Sequence, residues 1–473
     1  MGWSARPKNR RTILKKLLIC SPSHAVRGGV ETIISDLCSE LPKRGWEATV
    51  ALGKGSRFNN VAAYRNAYPD LLTVEIDGTR GTRQARVEAL KQVITAVRPQ
   101  IVLSARIFDA YEAVANLKLK HKSPRLAVAV RAYEPPYVYD ARLYRSCIDL
   151  CVADGKLITA ALVNLCGIPP GRVANVPSGV CAPKVRPEPR RPRSPFRLGY
   201  VGRLETSQKR VSDIPKFLEA LDRRSVDWSL DILGSGPAEN ELKTQLAAFH
   251  DSGRVRFRGW QSRDSLNEVY FPTIDCLIHF AHTEGVTIAP REAMTHGIVP
   301  VISQFTGLHS EGLFVDELNA LTFPVGDTNQ AALCVDRLRS EAGLMERLST
   351  NASQSQSGDY SLSGSMERWA EALDRCLDAP PTLSAAPQVT ATDGRLARKY
   401  ISPWLAQRLR NVLGRSFLHS DPGSEWPQSS GLMDAASAEE ISRFALEYEA
   451  SLFAVAPGHA PHHESPAVSD LTL

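Results

Sequence analysis

No apolar stretch of this 473-residue chain approaches the roughly 18 to 20 residues that a membrane-spanning helix needs. The start, MGWSARPKNRRTILKKLLIC, is basic, and its apolar run, Leu17 to Cys20, is short. A secretory leader has a longer apolar core and a small-residue cleavage site, so a cytoplasmic protein with a basic arm over 1–14 is expected. Cysteines number nine, an odd and scattered set. Cys147 and Cys151 stand four apart, but no second pair or His pair completes a zinc spacing, so reduced thiols and no metal are expected. Strong charge is absent too: 57 basic against 51 acidic side chains give +6. That is too weak to argue for nucleic acid and compatible with anionic ligands or a membrane surface. Apolar content of 43% and charged content of 23% are those of ordinary soluble proteins. At about 150 residues per domain the length suggests two or three domains.

Strand and helix patterns alternate along the chain. KKLLICSP (15–22) reads as a first buried strand. VETIISDLCSELPKRG (30–45) has apolar residues at helical spacing and ends on Gly45. EATVALG, QIVLSA, RLAVAVRA and DLCVAD read as further strands, with the helical ARVEALKQVITAVRP among them. Continuous apolar strands alternating with helices predict a parallel sheet covered on both faces. CAPKVRPEPRRPRSP (181–195) holds five prolines and reads as an extended linker. The pattern then repeats: FRLGYVG, WSLDILGSGP, VRFRGW, IDCLIHFA, VPVIS and NALTFPV as strands, with helices between. The expected organisation is a doubly wound domain over 15–180, the linker 181–195, and a second such domain over 196–378. Ligands of such sheets bind at the carboxyl ends of the strands.

From 379 onward the composition becomes linker-like. PWLAQRLRNVLGRSF places Trp404, Leu405, Leu409, Val412 and Leu413 on one helical face, with Arg408, Arg410 and Arg415 among the polar positions. SAEEISRFALEYEASLF opens with a capping box, Ser437 to Glu440, and is acidic. These two helices pair or dock on the body; the other reading lays the basic one on an anionic membrane. The end, APGHAPHHESPAVSDLTL, is expected to be disordered.

HTEGVTIAPREAMTHGIVPVIS (282–303) sets two glutamates, Glu284 and Glu292, eight apart around an apolar run. The strand DCLIHFA delivers Glu284 and Gly285 at its carboxyl end, and a short helix begins soon after, with Pro290 at its first position and Gly297 as terminator. Helix N-termini suit phosphate. Glu292, in the first turn, can accept two hydroxyls side by side, as from a ribose diol, and Glu284 can do so for a sugar. Singly, Glu292 reads as a favourable first-turn acid and Glu284 as a surface loop acid.

E-x7-E followed by a small helix and G-x-x-P-V resembles the donor-site signature of retaining glycosyltransferases of family 4, which have the GT-B architecture of two Rossmann-like domains facing a cleft. Further pieces occur in order: GGVE (28–31), GIPPGRVANVPSGV (167–180), YVGRLETSQKR (200–210), LDILGSGP (230–237) and NALTFPVGD (319–327). The likeness covers about residues 15 to 378. It implies a hexose transferred, with retention and without a metal or other cofactor, from a nucleotide diphosphate sugar to a glycan or lipid-linked acceptor held by the first domain, in polysaccharide or glycoconjugate biosynthesis. It implies that Glu284, Arg203 and Lys209 act at the sugar and leaving diphosphate. Gly28 and Gly29 would let the backbone approach from the first domain, Gly234 and Gly236 would do so near the nucleotide, and Gly285, Val286 and Thr287 would offer N–H groups. Against these stand a solvated basic loop for Arg203 and Lys209 and a plain tight turn for 285–287.

The chain departs from the pattern where histidine is frequent: Arg131 and Arg106 stand there. An arginine holds an anion and does not act as a base, so both are candidate acceptor or phosphate contacts. These departures also motivate two other readings: a non-catalytic nucleotide-sugar-binding or scaffold protein on the same fold, and another GT-B enzyme such as a sugar-nucleotide epimerase.

Overall fold

The computed structural model describes residues 14–121, 123–183, 185, 187–356, 358–387 and 403–454. Nearly all of the expected basic arm and the expected disordered end lie outside the described residues.

Two parallel sheets organise the chain. The first holds β1 (Lys15–Pro22), β2 (Trp46–Lys54), β3 (Thr73–Asp77), β4 (Ile101–Ser104), β5 (Arg125–Val130), β6 (Leu150–Ala153) and β7 (Val173–Asn175), in the order β3-β2-β1-β4-β5-β6-β7. The second holds β8 (Phe196–Val201), β9 (Trp228–Leu233), β10 (Val255–Gly259), β11 (Cys276–His279), β12 (Val299–Ser303) and β13 (Leu321–Phe323), in the order β10-β9-β8-β11-β12-β13. In each, the order reverses beside the first strand, where β1 meets β4 and β8 meets β11. A crevice opens at such a switch point. The two-domain, doubly wound α/β architecture is therefore as the alternation requires.

Period two explains the layers. Leu17 and Ile19 of β1 pack into one core with Trp46, Val50 and Leu52, while Leu18 and Cys20 pack into the other with Ala51 and Val102. The helix Gly29–Glu40 lays Ile33, Ile34 and Leu37 on the first of these cores, and Gly45 ends the turn after it with φ 84°. β3 escapes a reading by apolar runs because Ile76 is its one buried residue.

Among the described residues of 176–195 there is no helix or named strand. The last helix of the expected second domain, Leu362–Asp378, crosses back. Its Met366, Trp369, Leu373 and Cys376 belong to the first sheet's core. Gly179 has no side chain where that crossing begins; a β-carbon there would lie 2.6 Å from Leu362 Cα.

The tail docks on the first domain. Trp426 is fully buried against Gly53 and Gly78, whose missing side chains make its socket. Glu425 takes the backbone N–H groups of Arg57 (2.9 Å), Phe58 (3.1 Å) and Asn59 (2.9 Å). The helix Ala435–Ala454 buries Ile441 and Ala445 in the first domain's core. The expected capping box is corrected: the helix starts before Ser437, and Asp434 accepts the Ser437 N–H at 2.8 Å. Ser437 and Glu440 instead meet Arg142, at 3.3 and 2.7 Å. The basic helix, Pro403–Val412, lies on the helix Arg83–Val97.

Candidate functional site

The carboxyl edges of the two sheets face each other, and Glu284 lies between them. Glu284 sits on the loop after β11. Its strand end is held by the neighbouring turn, where Thr306 N donates to His282 O at 3.0 Å. Lys209 reaches it from the loop after β8. That loop is shaped by Glu205, whose carboxylate accepts the N–H groups of Ser207 (3.1 Å), Gln208 (2.8 Å) and Lys209 (2.6 Å). The turn so formed presents Lys209 Nζ to Glu284 Oε1 in an ion pair, and Gln208 Nε2 donates to Thr283 O at 3.1 Å. Burial pushes Glu284 up, but the Lys209 ammonium and His279 together outweigh it and hold the carboxyl at about 2. His279 Nε2 is 3.5 Å from the same carboxylate; burial lowers the imidazole, and Glu284 opposes that. Arg203 is exposed at the start of the loop. Its guanidinium has no ion pair among the described residues, and its charge lowers both His24 and Arg106 across the cleft.

Glu292 lies in the first turn of the helix Ala289–Thr295, where Pro290 takes the second position. It is buried, and one oxygen accepts Arg263 Nε at 2.9 Å. The same guanidinium grips Asp36 of the first domain with both terminal nitrogens, at 2.7 and 3.1 Å. Burial raises Glu292, with Asp36 adding to the rise and Arg263 opposing it. Glu292 Oε2 faces no donor among the described residues.

The glycines serve close approach. A β-carbon on Gly28 would lie 2.9 Å from Glu31 Oε2, and one on Gly29 would touch Ile288 of the second domain at 3.8 Å. Gly234 (φ 151°) and Gly236 make room for backbone: β-carbons there would fall 1.8 Å from Gly202 O and 2.2 Å from Leu204 O. They thus support the turn that carries Arg203. Gly285 admits the first domain, since a β-carbon would lie 2.7 Å from Arg131 O. Val286 and Thr287 are buried beside it. The backbone N–H groups of 285–287 donate to no acceptor among the described residues.

Arg131 and Arg106 each have a carboxylate partner in the first domain. Arg131 is paired with Asp154 at 3.0 Å and donates to Val176 O (3.0 Å) and Ser178 Oγ (2.6 Å). Its side chain is turned into the domain junction because Asp154, buried at the end of β6, needs a cation. Arg106 pairs with Glu31 in the first turn after Gly28-Gly29, and so buttresses that loop. Sequence reasoning missed Glu205, Arg263, Asp36 and Glu134. Only Glu205, four residues before Lys209, left a local signal: a carboxylate followed by the turn residues it caps.

Residues 182–355, which hold Arg203, Lys209, Glu284 and Glu292, match the family described as Glycosyl transferases group 1. The chain is 27% identical over 175 residues to an alpha-D-kanosaminyltransferase of Streptomyces kanamyceticus. That alignment covers 36% of this chain and 43%, less than half, of the relative's length. Among solved structures, the fold resembles the pneumococcal O-GlcNAc transferase GtfA in complex with UDP and GlcNAc, with TM-score 0.65, 10% identity and 77% of this chain and 100% of that one covered. It also resembles Anabaena Alr3699/HepE in complex with UDP-glucose, with TM-score 0.60, 17% identity, and 76% and 99% covered. These likenesses show the fold, which is GT-B.

Proposed function

We propose that the chain is a glycosyltransferase that moves a hexose from a nucleotide diphosphate sugar to a carbohydrate or lipid-linked acceptor, with retention and without a metal. The observation that carries this reading is the Lys209–Glu284 ion pair, set beside the unpaired Arg203 and the free N–H groups of 285–287 at the carboxyl edge of the second sheet. Phosphoryl oxygens suit that set of two cations and N–H donors without a described acceptor. Glu284 would take sugar hydroxyls, and the free oxygen of Glu292 would take the ribose. In transfer, the bond from the anomeric carbon to the phosphate oxygen breaks and the bond to the acceptor oxygen forms on the same face. The acceptor's proton passes to the leaving phosphate. Arg203 and Lys209 offset the charge that develops there. Relatives on this fold hold UDP together with glucose or GlcNAc, which supports a nucleotide sugar as donor.

The basic helix supports a membrane-surface acceptor. Leu409, Val412 and Leu413 are 43%, 84% and 66% exposed, beside exposed Arg408 and Arg415, the composition that lies down on anionic lipid. Among the described residues no helix is long and apolar enough to cross a membrane.

Thermal shift with a panel of UDP- and GDP-sugars tests the reading. A ligand at 100 times its dissociation constant stabilises by roughly 2.7 kcal/mol. Glu292→Ala is expected to lose most of the nucleotide-dependent shift. A wild-type chain that no nucleotide stabilises, confirmed by calorimetry, ends the proposal.

A further inference from the structure

The loop after β5 puts into the cleft a carboxylate that no described residue bonds. Glu134 precedes two prolines and the helix Pro135–Leu143. The first proline confines it to extended backbone, and it has φ −112° and ψ 128°. Its neighbours fix the loop from both sides. Arg131 is locked to Asp154, Val176 and Ser178. Tyr133 is buried, donates its hydroxyl to Ile441 O of the tail helix at 2.6 Å, and accepts Thr283 Oγ1 on its carbonyl at 3.3 Å. Glu134 therefore stands opposite the residue that precedes Glu284, on the first domain's side of the cleft.

A carboxylate at the start of a helix caps it, pairs with a cation or bonds a neighbour. Glu134 makes no capping hydrogen bond. Neither carboxylate oxygen accepts a hydrogen bond or an ion pair from any described residue. What faces it is Glu205, Glu284 and Arg203 of the second domain and Tyr137, one turn along its own helix. Burial, with the two glutamates adding, raises its pKa. Tyr137 is steered by Gln428 of the tail, which accepts its hydroxyl at 3.1 Å. A half-buried carboxylate without a donor is disfavoured unless a ligand supplies one.

We infer that Glu134 is an acceptor-binding residue: its carboxylate, on the rigid loop that meets Thr283, receives a hydroxyl of the acceptor saccharide. The inference rests on the glycosyltransferase reading and adds to it a polyhydroxylated acceptor held against the first domain by an anionic group. Lys209 pairs with one oxygen of Glu284 and Arg263 with one oxygen of Glu292, whereas both oxygens of Glu134 are open among the described residues.

Saturation-transfer NMR on the full chain with UDP present tests this, using the methyl glycosides of glucose, galactose, mannose and glucosamine as probes. Loss of one hydrogen bond to a charged group corresponds to about tenfold weaker binding or more. Glu134→Ala is expected to lose the saccharide signal by about that factor, and the isosteric Glu134→Gln to keep an intermediate one through its amide oxygen. Calorimetry with UDP on the same proteins reports the donor site separately, and its dissociation constant should be unchanged. A saccharide signal that survives in Glu134→Ala, or a wild type that gives none with any of these probes, overturns the inference. A wild type that binds saccharide but no UDP ends the donor reading and leaves this one standing.

Discussion

Glu284 is the residue on which sequence and structure meet most closely. Its spacing from Glu292 singles it out in the chain, and its ion pair with Lys209 gives that spacing a chemical meaning. The pairing also has a consequence for pH. Burial alone would raise the Glu284 pKa, but Lys209 and His279 together carry it from 4.5 to about 2. A carboxyl whose folded pKa lies below its unfolded one stabilises the fold above the unfolded value, and that contribution is lost as pH falls through the folded value. Between pH 5 and pH 2 the chain should therefore lose about 3 kcal/mol from this group. Urea unfolding of the wild type and of Glu284→Gln across that range should show a shallower pH dependence in the variant. Equal slopes would mean that Lys209 does not protect Glu284. What the chain hides at this scale are the partners. Asp36 and Arg263 lie 227 residues apart, and no local pattern joins them. Glu134 reads as an unremarkable acid before two prolines until Tyr133 is seen against Thr283.

At the scale of elements, strands with continuous apolar runs were legible because burial on both faces leaves no polar alternation. Edge strands such as β3 were not, because one buried side chain makes no run. The crossing helix Leu362–Asp378 shows a different limit. Its amphipathic pattern says that a face is buried and is silent on which sheet buries it. The tail extends the point. Glycines 53 and 78 gain their meaning from Trp426, more than 300 residues away. The helix Pro403–Val412 turns a polar residue inward: Gln407 is buried and hydrogen-bonded to Thr82. Its Leu409 and Val412 are left outward, opposite to what core packing alone would select. If anionic lipid is what covers them, the chain should sediment with vesicles that contain phosphatidylglycerol and far less with neutral ones. Leu409→Asp with Val412→Asp should then reduce the bound fraction at least about tenfold, because two apolar contacts of a few kcal/mol are replaced by repelled charges. Equal sedimentation of the double variant would remove the membrane from the list of partners.

For the molecule as a whole, the question is what holds two domains together around a cleft proposed to admit a nucleotide. The ties lie at separate points. Arg291 is fully buried and donates to Ser178 O at 2.5 Å, at the junction between the sheets. Glu311 accepts Lys156 N–H. Glu449 of the tail helix, which packs on the first domain, accepts Gly307 N–H of the second at 2.8 Å. Arg263 differs from these because it joins the two domains through the residue proposed to bind ribose. Its fork holds Asp36 across the cleft while its Nε holds Glu292. Removing it leaves buried Glu292 and half-buried Asp36 facing each other without the guanidinium that joins them. Breaking a buried pair in this way is worth about 3 to 5 kcal/mol, and the domains can relieve the repulsion by separating. Arg263→Ala is therefore expected to lower the melting temperature, enlarge the radius of gyration in small-angle scattering, and weaken UDP binding. Asp36→Asn removes one of the two charges and keeps Arg263 on Glu292, so it should open the cleft less and leave UDP affinity near the wild-type value. If Arg263→Ala melts early with an unchanged radius, Arg263 serves the second domain alone and the closure of the cleft rests on Arg291, Glu311 and Glu449.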